Sequence, residues 1–406
     1  MPTILQINVT ANVGSTGRIA EQLGKAAMAE GWSSYIAYGR YSAQSESNLV
    51  RIGSPLETRI HYRLSKLLDR HGLFSSIATL RFIRQIKKIK PDIIHLHNIH
   101  GSYLNYLLLF NYLKRSAMPV VWTFHDCWPI TGHCAHFASA DCQKWQTLCH
   151  HCPLLGVYPR AKVDNSRSNY RLKKKVFTSL QDNLNIVTVS QWLASVVAES
   201  FFAKGNARQH MIYNGVDTSV FSPQLSVTKV QLGLPDKKIL LAVASSWTPE
   251  KGLGHLFELS TMLSDDYQLV IIGLSPMQIE ELSSNIIGLP CTESVEQLAR
   301  YYSVADVVLN LSVAETFGLT TVEGLSCGTP SIVYNATASP ELIRNEKVGR
   351  VIKLGDLQGV ISAIEELCSE DRDEMRRCCR EYAVAHFDKD MNYKKYIDLY
   401  KQLINR

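Results

Sequence analysis

The chain has 406 residues, 46% hydrophobic and 20% charged, which is normal for a globular protein and enough for two ordinary domains. A net charge of +6 is mild; it suits anionic substrates or an anionic membrane surface and proves neither. No apolar run reaches the ~18 residues of a spanning helix, and the opening Met1-Pro-Thr-Ile-Leu-Gln-Ile-Asn8 reads as a strand with no signal core, so a cytoplasmic protein is expected.

Thr3 to Ile7 is the first expected strand. Asn12-Val-Gly-Ser-Thr-Gly-Arg18 follows, and then a helix from Ile19 to Ala29 with Ile19, Leu23, Ala26 and Ala27 on one face. Gly14 and Gly17 let a backbone approach a ligand closely, but the spacing is not that of a dinucleotide fingerprint, and a tight strand-helix turn reads equally well. Arg18 is either a holder of an anionic acceptor group or a solvated helix residue. Trp32 to Tyr38 is the second strand.

Residues 57 to 90 mix Arg59, Arg63, Lys66, Arg81, Arg84, Lys87 and Lys88 with Ile60, Leu64, Leu67, Leu68, Ile77 and Leu80. Such helices either lie on an anionic membrane surface or cover a sheet with their charges in water, and the pattern leans to the second. No aromatic stacking pattern accompanies the charge, so nucleic acid is not expected as a partner.

Pro91 to His100 is the next strand and its end. His95 and His97 share one strand face inside an apolar run, which favours packed, hydrogen-bonding histidines over metal ligands. Asn98 and His100 fall at the strand's C-terminal end, the functional edge of an open sheet. Pro119 to Phe124 is another strand. It runs into His125 and Asp126, which places His125 at a strand tip facing the expected cleft.

The chain carries 10 cysteines, four of them in the block Cys134-x7-Cys142-x6-Cys149-x2-Cys152. A reducing cytoplasm disfavours disulfides. Cys149-His-His-Cys152 has the spacing of a zinc knuckle, so these four thiolates are expected to hold a structural zinc that staples a long loop over the cleft. Free buried cysteines are the alternative. Asn185 to Ser190 and His210 to Tyr213 are the last strands of this half, and Asn214-Gly215 is a turn. The domain boundary is placed near residue 220.

Lys238 to Ala244 is a fresh first strand. Ser245 to Gly252 forms a rim loop in which Lys251 can meet a diphosphate, and a helix follows from Leu253. Tyr267 to Gly273 is the next strand, and Ser294 to Ser303 is helical. Val307 to Leu311 is a buried strand leading into Glu315-Thr-Phe-Gly318, a helix from Leu319 to Ser326, the stop Gly328-Thr-Pro330 and a strand at Ser331 to Tyr334. Free amides at that helix N-terminus suit a phosphate. Glu315 and Glu323 bracket the turn. Carboxylates repel phosphate, so they suit sugar hydroxyls; the plain reading is a loop cap and a solvated helix residue. Residues 373 to 405 are largely helical, with Tyr393, Tyr396, Ile397 and Tyr400 as a packing stripe.

Glu315-x7-Glu323 with Gly328-Thr-Pro330, Asn214-Gly-Val-Asp217 and Pro249-Glu-Lys-Gly252 together resemble family 4 glycosyltransferases of the GT-B fold, over nearly the whole chain. Gly14-Ser-Thr-Gly-Arg18, His95 to Gly101 and His125 to Cys134 look like the colanic acid and exopolysaccharide subgroup. The resemblance implies two Rossmann-like α/β domains with parallel sheets facing across a cleft. Residues 1–220 would be the acceptor domain, with the Cys-rich insert 127–152. Residues 221–385 would bind the nucleotide sugar, and 386–406 would be a helix returning to the N-terminal domain.

It also implies retaining transfer from a nucleotide diphosphate sugar to a glycan acceptor, lipid-linked, at the cytoplasmic face of the inner membrane. Lys251 would neutralise the diphosphate and Glu315 would bind donor sugar hydroxyls. The amides of Phe317, Gly318 and Leu319 would take the distal phosphate or sugar edge, and Glu323 the ribose. His125 would contact the donor sugar, Gly14 and Gly17 would shape the loop near the diphosphate, and Arg18, Asn98 and His100 would serve the acceptor. No catalytic divalent metal is expected, so any zinc would be structural. Ser246 departs from the pattern, since many members have arginine there. It keeps open a silent nucleotide-sugar-binding protein, beside a glycogen-synthase-like enzyme with a soluble acceptor.

Overall fold

The computed structural model describes residues 1–405. The chain divides into two compact units, one of Met1–Tyr213 with the stretch from Asn392 onward, the other of Asn214–Met391.

In the first unit the elements run β1 (Thr3–Asn8), α1 (Gly14–Ala29), β2 (Ser33–Tyr38), β3 (Asn48–Arg51), α2 (Pro55–Leu68), α3 (Ser76–Ile89), β4 (Ile93–Leu96), α4 (Tyr106–Ser116), β5 (Val120–Phe124), α5 (Ser166–Phe177), β6 (Leu184–Thr188), α6 (Gln191–Glu199) and β7 (Arg208–Met211). The strands form one sheet in the order β3-β2-β1-β4-β5-β6-β7 with every pairing parallel. All residues of β4 and β5 are buried, which is why they read as unbroken apolar runs: helices cover both faces of a parallel sheet. The expected start of α1 at Ile19 moves back to Gly14, because Gly14 and Ser15 carry no apolar signal yet lie in the first turn. The short, largely exposed edge strand β3 gave no periodic signal at all.

The second unit runs β8 (Lys238–Val243), α7 (Leu253–Ser260), β9 (Tyr267–Ile272), α8 (Pro276–Glu280), β10 (Ile286–Leu289), α9 (Val295–Val304), β11 (Val307–Asn310), α10 (Leu319–Ser326), β12 (Ser331–Tyr334), β13 (Gly349–Ile352), α11 (Leu357–Ser369) and α12 (Arg372–Phe387). Its sheet has the order β10-β9-β8-β11-β12-β13, again parallel throughout. The core is the two sheet faces against these helices, with Leu240, Leu309, Leu325, Ile332 and Val360 all but inaccessible. Both units are therefore Rossmann-like. Strand order reverses between β1 and β4 in one and between β8 and β11 in the other. At such switch points the loops on either side diverge and leave a crevice at the C-terminal strand ends.

The last helix, α13 (Lys389–Ile404), supplies Tyr393, Tyr396, Ile397 and Tyr400 to the core of the first unit, beside Ile4, Ile93 and Val121. Their i, i+3, i+4, i+7 spacing is the packing stripe read from the sequence.

Two neighbouring helices treat their apolar residues in opposite ways. α3 buries Ala78, Phe82, Ile83 and Ile86 and leaves Arg81, Arg84, Lys87 and Lys88 in water. α2 starts with a full capping box, Ser54 with Glu57, and then buries only His61 and Ser65. Its Leu56, Ile60, Leu67 and Leu68 are 63%, 49%, 48% and 40% exposed. Charges face outward on both helices, as expected, with Arg59, Arg63 and Lys66 exposed on α2, but α2 leaves its apolar residues exposed beside them.

Candidate functional site

The chemistry of the second unit gathers at its switch point. The loop after β8 contains Pro249-Glu-Lys251 in a short 3-10 turn and ends at Gly252, the left-handed N-cap of α7 with φ 76°. A Cβ on Gly252 would lie 2.0 Å from the Leu311 carbonyl oxygen, so only glycine lets this loop close on the loop after β11. The Val313 N–H donates to the Glu250 carbonyl at 2.8 Å and ties the two loops further.

Across this contact Lys251 Nζ donates to Glu315 Oε1 at 2.6 Å. The Ser312 hydroxyl donates to the same oxygen at 3.0 Å. The Glu315 amide donates to Thr337 Oγ1 at 2.8 Å, which fixes the backbone beneath the carboxylate. Glu315 is thus neither a simple loop cap nor solvated: its side chain is only 11% exposed and holds a lysine that is 34% exposed. Glu315 is followed by buried Phe317 and by Gly318, whose φ of 103° turns the chain into α10. Gly318 offers no side chain to cap α10; the Thr321 amide bonds back to the Gly318 carbonyl at 3.1 Å, which leaves the Leu319 and Thr320 amides to suit an acceptor from outside the helix.

Glu323 is half-buried on the second turn of α10, and its Oε2 accepts from the Tyr302 hydroxyl at 3.0 Å. Tyr302 is wholly buried on α9, and burial together with the Glu323 charge holds its phenol well above the ordinary range. It acts as a fixed donor that aims Glu323. Spacing could not reveal this partner, because Tyr302 looks like one more apolar position of α9. Ser246 is exposed in the β8 loop.

In the first unit, Gly14 opens α1 and Gly17 packs so closely that a Cβ would meet Thr10 Oγ1 at 2.7 Å. Arg18 is exposed on the next turn. Asn98 follows β4, half-buried, and its carbonyl accepts from the Tyr103 hydroxyl at 2.9 Å. His95 is buried between the Tyr400 hydroxyl at 2.6 Å and Thr123 Oγ1 at 2.8 Å, a packed histidine as the sequence suggested.

His97 and His125 form one relay. Gln6 donates its amide to the Ala20 carbonyl at 2.7 Å, which turns its own carbonyl oxygen toward His97 Nε2 at 3.0 Å. His97 must then carry its proton on Nε2, accept at Nδ1, and receive the Nε2–H of His125 at 3.0 Å. That leaves His125 with Nδ1 as an acceptor. Burial pushes the His125 imidazolium down to about 4, with Asp126 opposing, so the ring is neutral near pH 7.

His100, expected at the acceptor, is instead 6% exposed with both nitrogens engaged: Nε2 with Asp126 Oδ2 at 2.7 Å and Nδ1 with the Tyr158 hydroxyl at 2.9 Å. Burial disfavours the Asp126 carboxylate, but His100 and the Trp128 amide outweigh it and bring its pKa down to about 2. His100 thereby positions Tyr158.

The zinc expectation finds no support among the described residues. Cys134, Cys142, Cys149 and Cys152 do line one small cavity with His133 and His150. Among the described residues, however, no group of three or more His, Cys, Asp or Glu could hold a metal ion. Three of these thiols have partners of their own. Cys134 donates to Cys152, and the Gly132 N–H donates to Cys149 Sγ at 3.2 Å. The Cys152 bond and burial hold Cys134 well above the usual thiol range, burial pushes Cys149 up to about 12, and the bond from Cys134 brings Cys152 down to about 7. The long segment after β5 is held instead by Lys173, which donates to the Trp128 and Thr131 carbonyls at 2.7 and 3.1 Å and lies 3.5 Å over the Trp128 ring. His133 on Asp69 and the stacked pair Phe137–Trp145 complete that support. These partners lie far apart in the sequence and carry no local signal.

Among the described residues no helix is long and apolar enough to cross a membrane. The family model of glycosyltransferase family 4 matches residues 16–220, and that of glycosyl transferases group 1 matches residues 227–386. The putative colanic acid biosynthesis glycosyl transferase WcaC of Escherichia coli is 25% identical over 358 residues, 84% of this chain and 85% of its own. The sucrose-phosphate synthase of Thermosynechococcus elongatus superposes with a TM-score of 0.73 at 17% identity, covering 100% of both chains. Anabaena Alr3699/HepE in complex with UDP-glucose superposes with a TM-score of 0.69 at 16% identity, covering 98% of this chain and 99% of that one. The structural likenesses establish the fold, and the family match establishes the enzyme class: the chain belongs to glycosyltransferase family 4 and is a glycosyltransferase.

Proposed function

We propose that the chain is a retaining transferase that moves a sugar from a nucleotide diphosphate sugar to a lipid-linked glycan acceptor during assembly of a surface or exopolysaccharide. The observation that carries the donor side is the Lys251–Glu315 contact next to the uncapped start of α10, at the crevice of the second sheet. The relative named for colanic acid biosynthesis and the neighbour holding UDP-glucose support the substrate class.

In this reading the diphosphate draws Lys251 away from Glu315, and the amides from Phe317 to Leu319 take the distal phosphate or sugar edge. Glu315 turns to a sugar hydroxyl, and Glu323, aimed by Tyr302, takes the ribose. His125 contacts the donor sugar near the reacting carbon. Gly14 and Gly17 shape the loop near the diphosphate, while Arg18 and Asn98 serve the acceptor.

The bond from the anomeric carbon to the diphosphate breaks with its electron pair going to the leaving oxygen. Lys251 and the amides stabilise that charge as it forms. The acceptor hydroxyl bonds to the same face, and its proton passes to the leaving phosphate. A covalent sugar on Glu315, the retaining-hydrolase route, suits a carboxylate that grips a sugar hydroxyl poorly.

The outward apolar residues of α2, flanked by Arg59, Arg63 and Lys66, support peripheral contact with an anionic lipid surface.

A panel of nucleotide sugars screened for protection against thermal unfolding, followed by turnover with the best, tests the donor reading. NMR of the product gives the anomeric configuration. Protection by none of the panel overturns the donor, and an inverted product or a trapped glycosylated Glu315 overturns the mechanism.

A further inference from the structure

A second cavity, of about 170 Å³, opens at the rim of the first unit. Its walls come from four separate places in the chain: Arg40 just after β2, Tyr62 of α2 with His71 beyond it, Ser102 after β4, and Tyr158 to Arg160 in the segment after β5. No carboxylate lines it. Arg40 Nε and His71 Nε2 are buried and have no hydrogen-bond partner. A buried donor left unpaired costs about 1–3 kcal/mol, and more for a charged group, so an unpaired guanidinium N–H at a cavity wall points to something that binds there.

Arg160 adds a second, exposed guanidinium. Tyr158 is held at the wall by its bond to His100, which Asp126 holds in turn. Two guanidiniums recognise an oxyanion, and two aromatic rings beside them stack on the apolar face of a sugar ring.

We propose that this cavity is an acceptor subsite for a sugar carrying an oxyanion, with Arg40 and Arg160 binding the anionic group and Tyr62 and Tyr158 packing on the ring. The anion is either the phosphate of a lipid-linked sugar or the carboxylate of an acidic sugar. The subsite deepens the transferase reading, but it can be tested without any nucleotide sugar.

Calorimetric titration of the full chain with inorganic pyrophosphate, glucuronate and glucose is the test. Because pyrophosphate also suits the Lys251 site, each titration is repeated in Lys251→Ala. The subsite predicts a binding component that survives Lys251→Ala, weakens about tenfold in Arg160→Ala, and recovers in part in Arg160→Lys, as expected for a charge-assisted bond. Arg40→Ala should weaken it at least as much. Arg160 is exposed, so its variant carries the test if Arg40→Ala fails to fold.

Tighter pyrophosphate than glucuronate assigns the phosphate source, and the reverse assigns the acidic sugar. Glucose binding as tightly as the anions, no anion binding at millimolar concentration, or a component that vanishes with Lys251→Ala and ignores Arg160 would each overturn the proposal. A donor screen that fails while the Arg160-dependent component persists would remove the donor reading and leave the subsite standing.

Discussion

Lys251 Nζ lies 2.6 Å from Glu315 Oε1, although the two residues belong to different loops, 64 positions apart in the chain. Each neutralises the other at a place where a diphosphate and a sugar would need them separately. Lys251→Ala should lower turnover by about 100- to 1000-fold, the usual cost of removing one donor to a developing anion. It also leaves the Glu315 carboxylate unpaired beside the diphosphate. Adding Glu315→Gln should therefore cost less in donor affinity on the Lys251→Ala background than on the natural one. Strictly additive losses in steady-state kinetics would show that the two do not act together.

Tyr302 aims Glu323 through one hydrogen bond at 3.0 Å. Tyr302→Phe keeps the ring and removes only that bond. Donor KM should rise about fivefold, equivalent to roughly 1 kcal/mol, with kcat little changed. A fall in kcat with KM unchanged would place Glu323 in the chemical step and not in holding ribose.

His61 and His71 are buried, and desolvation lowers both to about 3. Their folded-state pKa lies below the ordinary value near 6.5, so below that pH the unfolded chain takes up protons that the native one refuses. Stability is then lost as pH falls from about 6.5 toward 3, by up to about 1.4 kcal/mol per pH unit for each group, and neither contributes above pH 7. Urea unfolding at pH 7 and pH 5 should show the drop, and His61→Gln should shrink it. An equal drop in the variant would assign the acid sensitivity elsewhere. Asp126, lowered from 3.8 to about 2, contributes stability that is lost as pH falls from about 3.8 through about 2.

Ile60 and Leu67 stand 49% and 48% exposed on α2. Changing both to glutamate removes apolar area and adds like charge to an anionic surface. Flotation with vesicles containing anionic lipid should lose the protein, while its melting temperature stays within a degree or two, as for exposed sites. Binding that persists in the double variant would move the membrane contact to another face.

The sequence alone determined the alternation of strand and helix, the bounds Leu319–Ser326 of α10 and Ser331–Tyr334 of β12, and the rim position of Lys251 and Glu315. It could do so because capping, glycine turns and apolar periodicity act between residues a few positions apart. Periodicity showed that α2 has an apolar face but not which way that face points, since direction depends on what the rest of the chain packs against it. Tertiary structure alone decided that Tyr302 holds Glu323, that His100 supports Tyr158, and that Arg40 and Arg160 share one cavity. It also decided that Cys134 bonds to Cys152 while Cys149 accepts from a backbone amide. A thiol's ionisation and a side chain's partner depend on solvent exclusion and distance, and both are set only when segments far apart in the chain have come together.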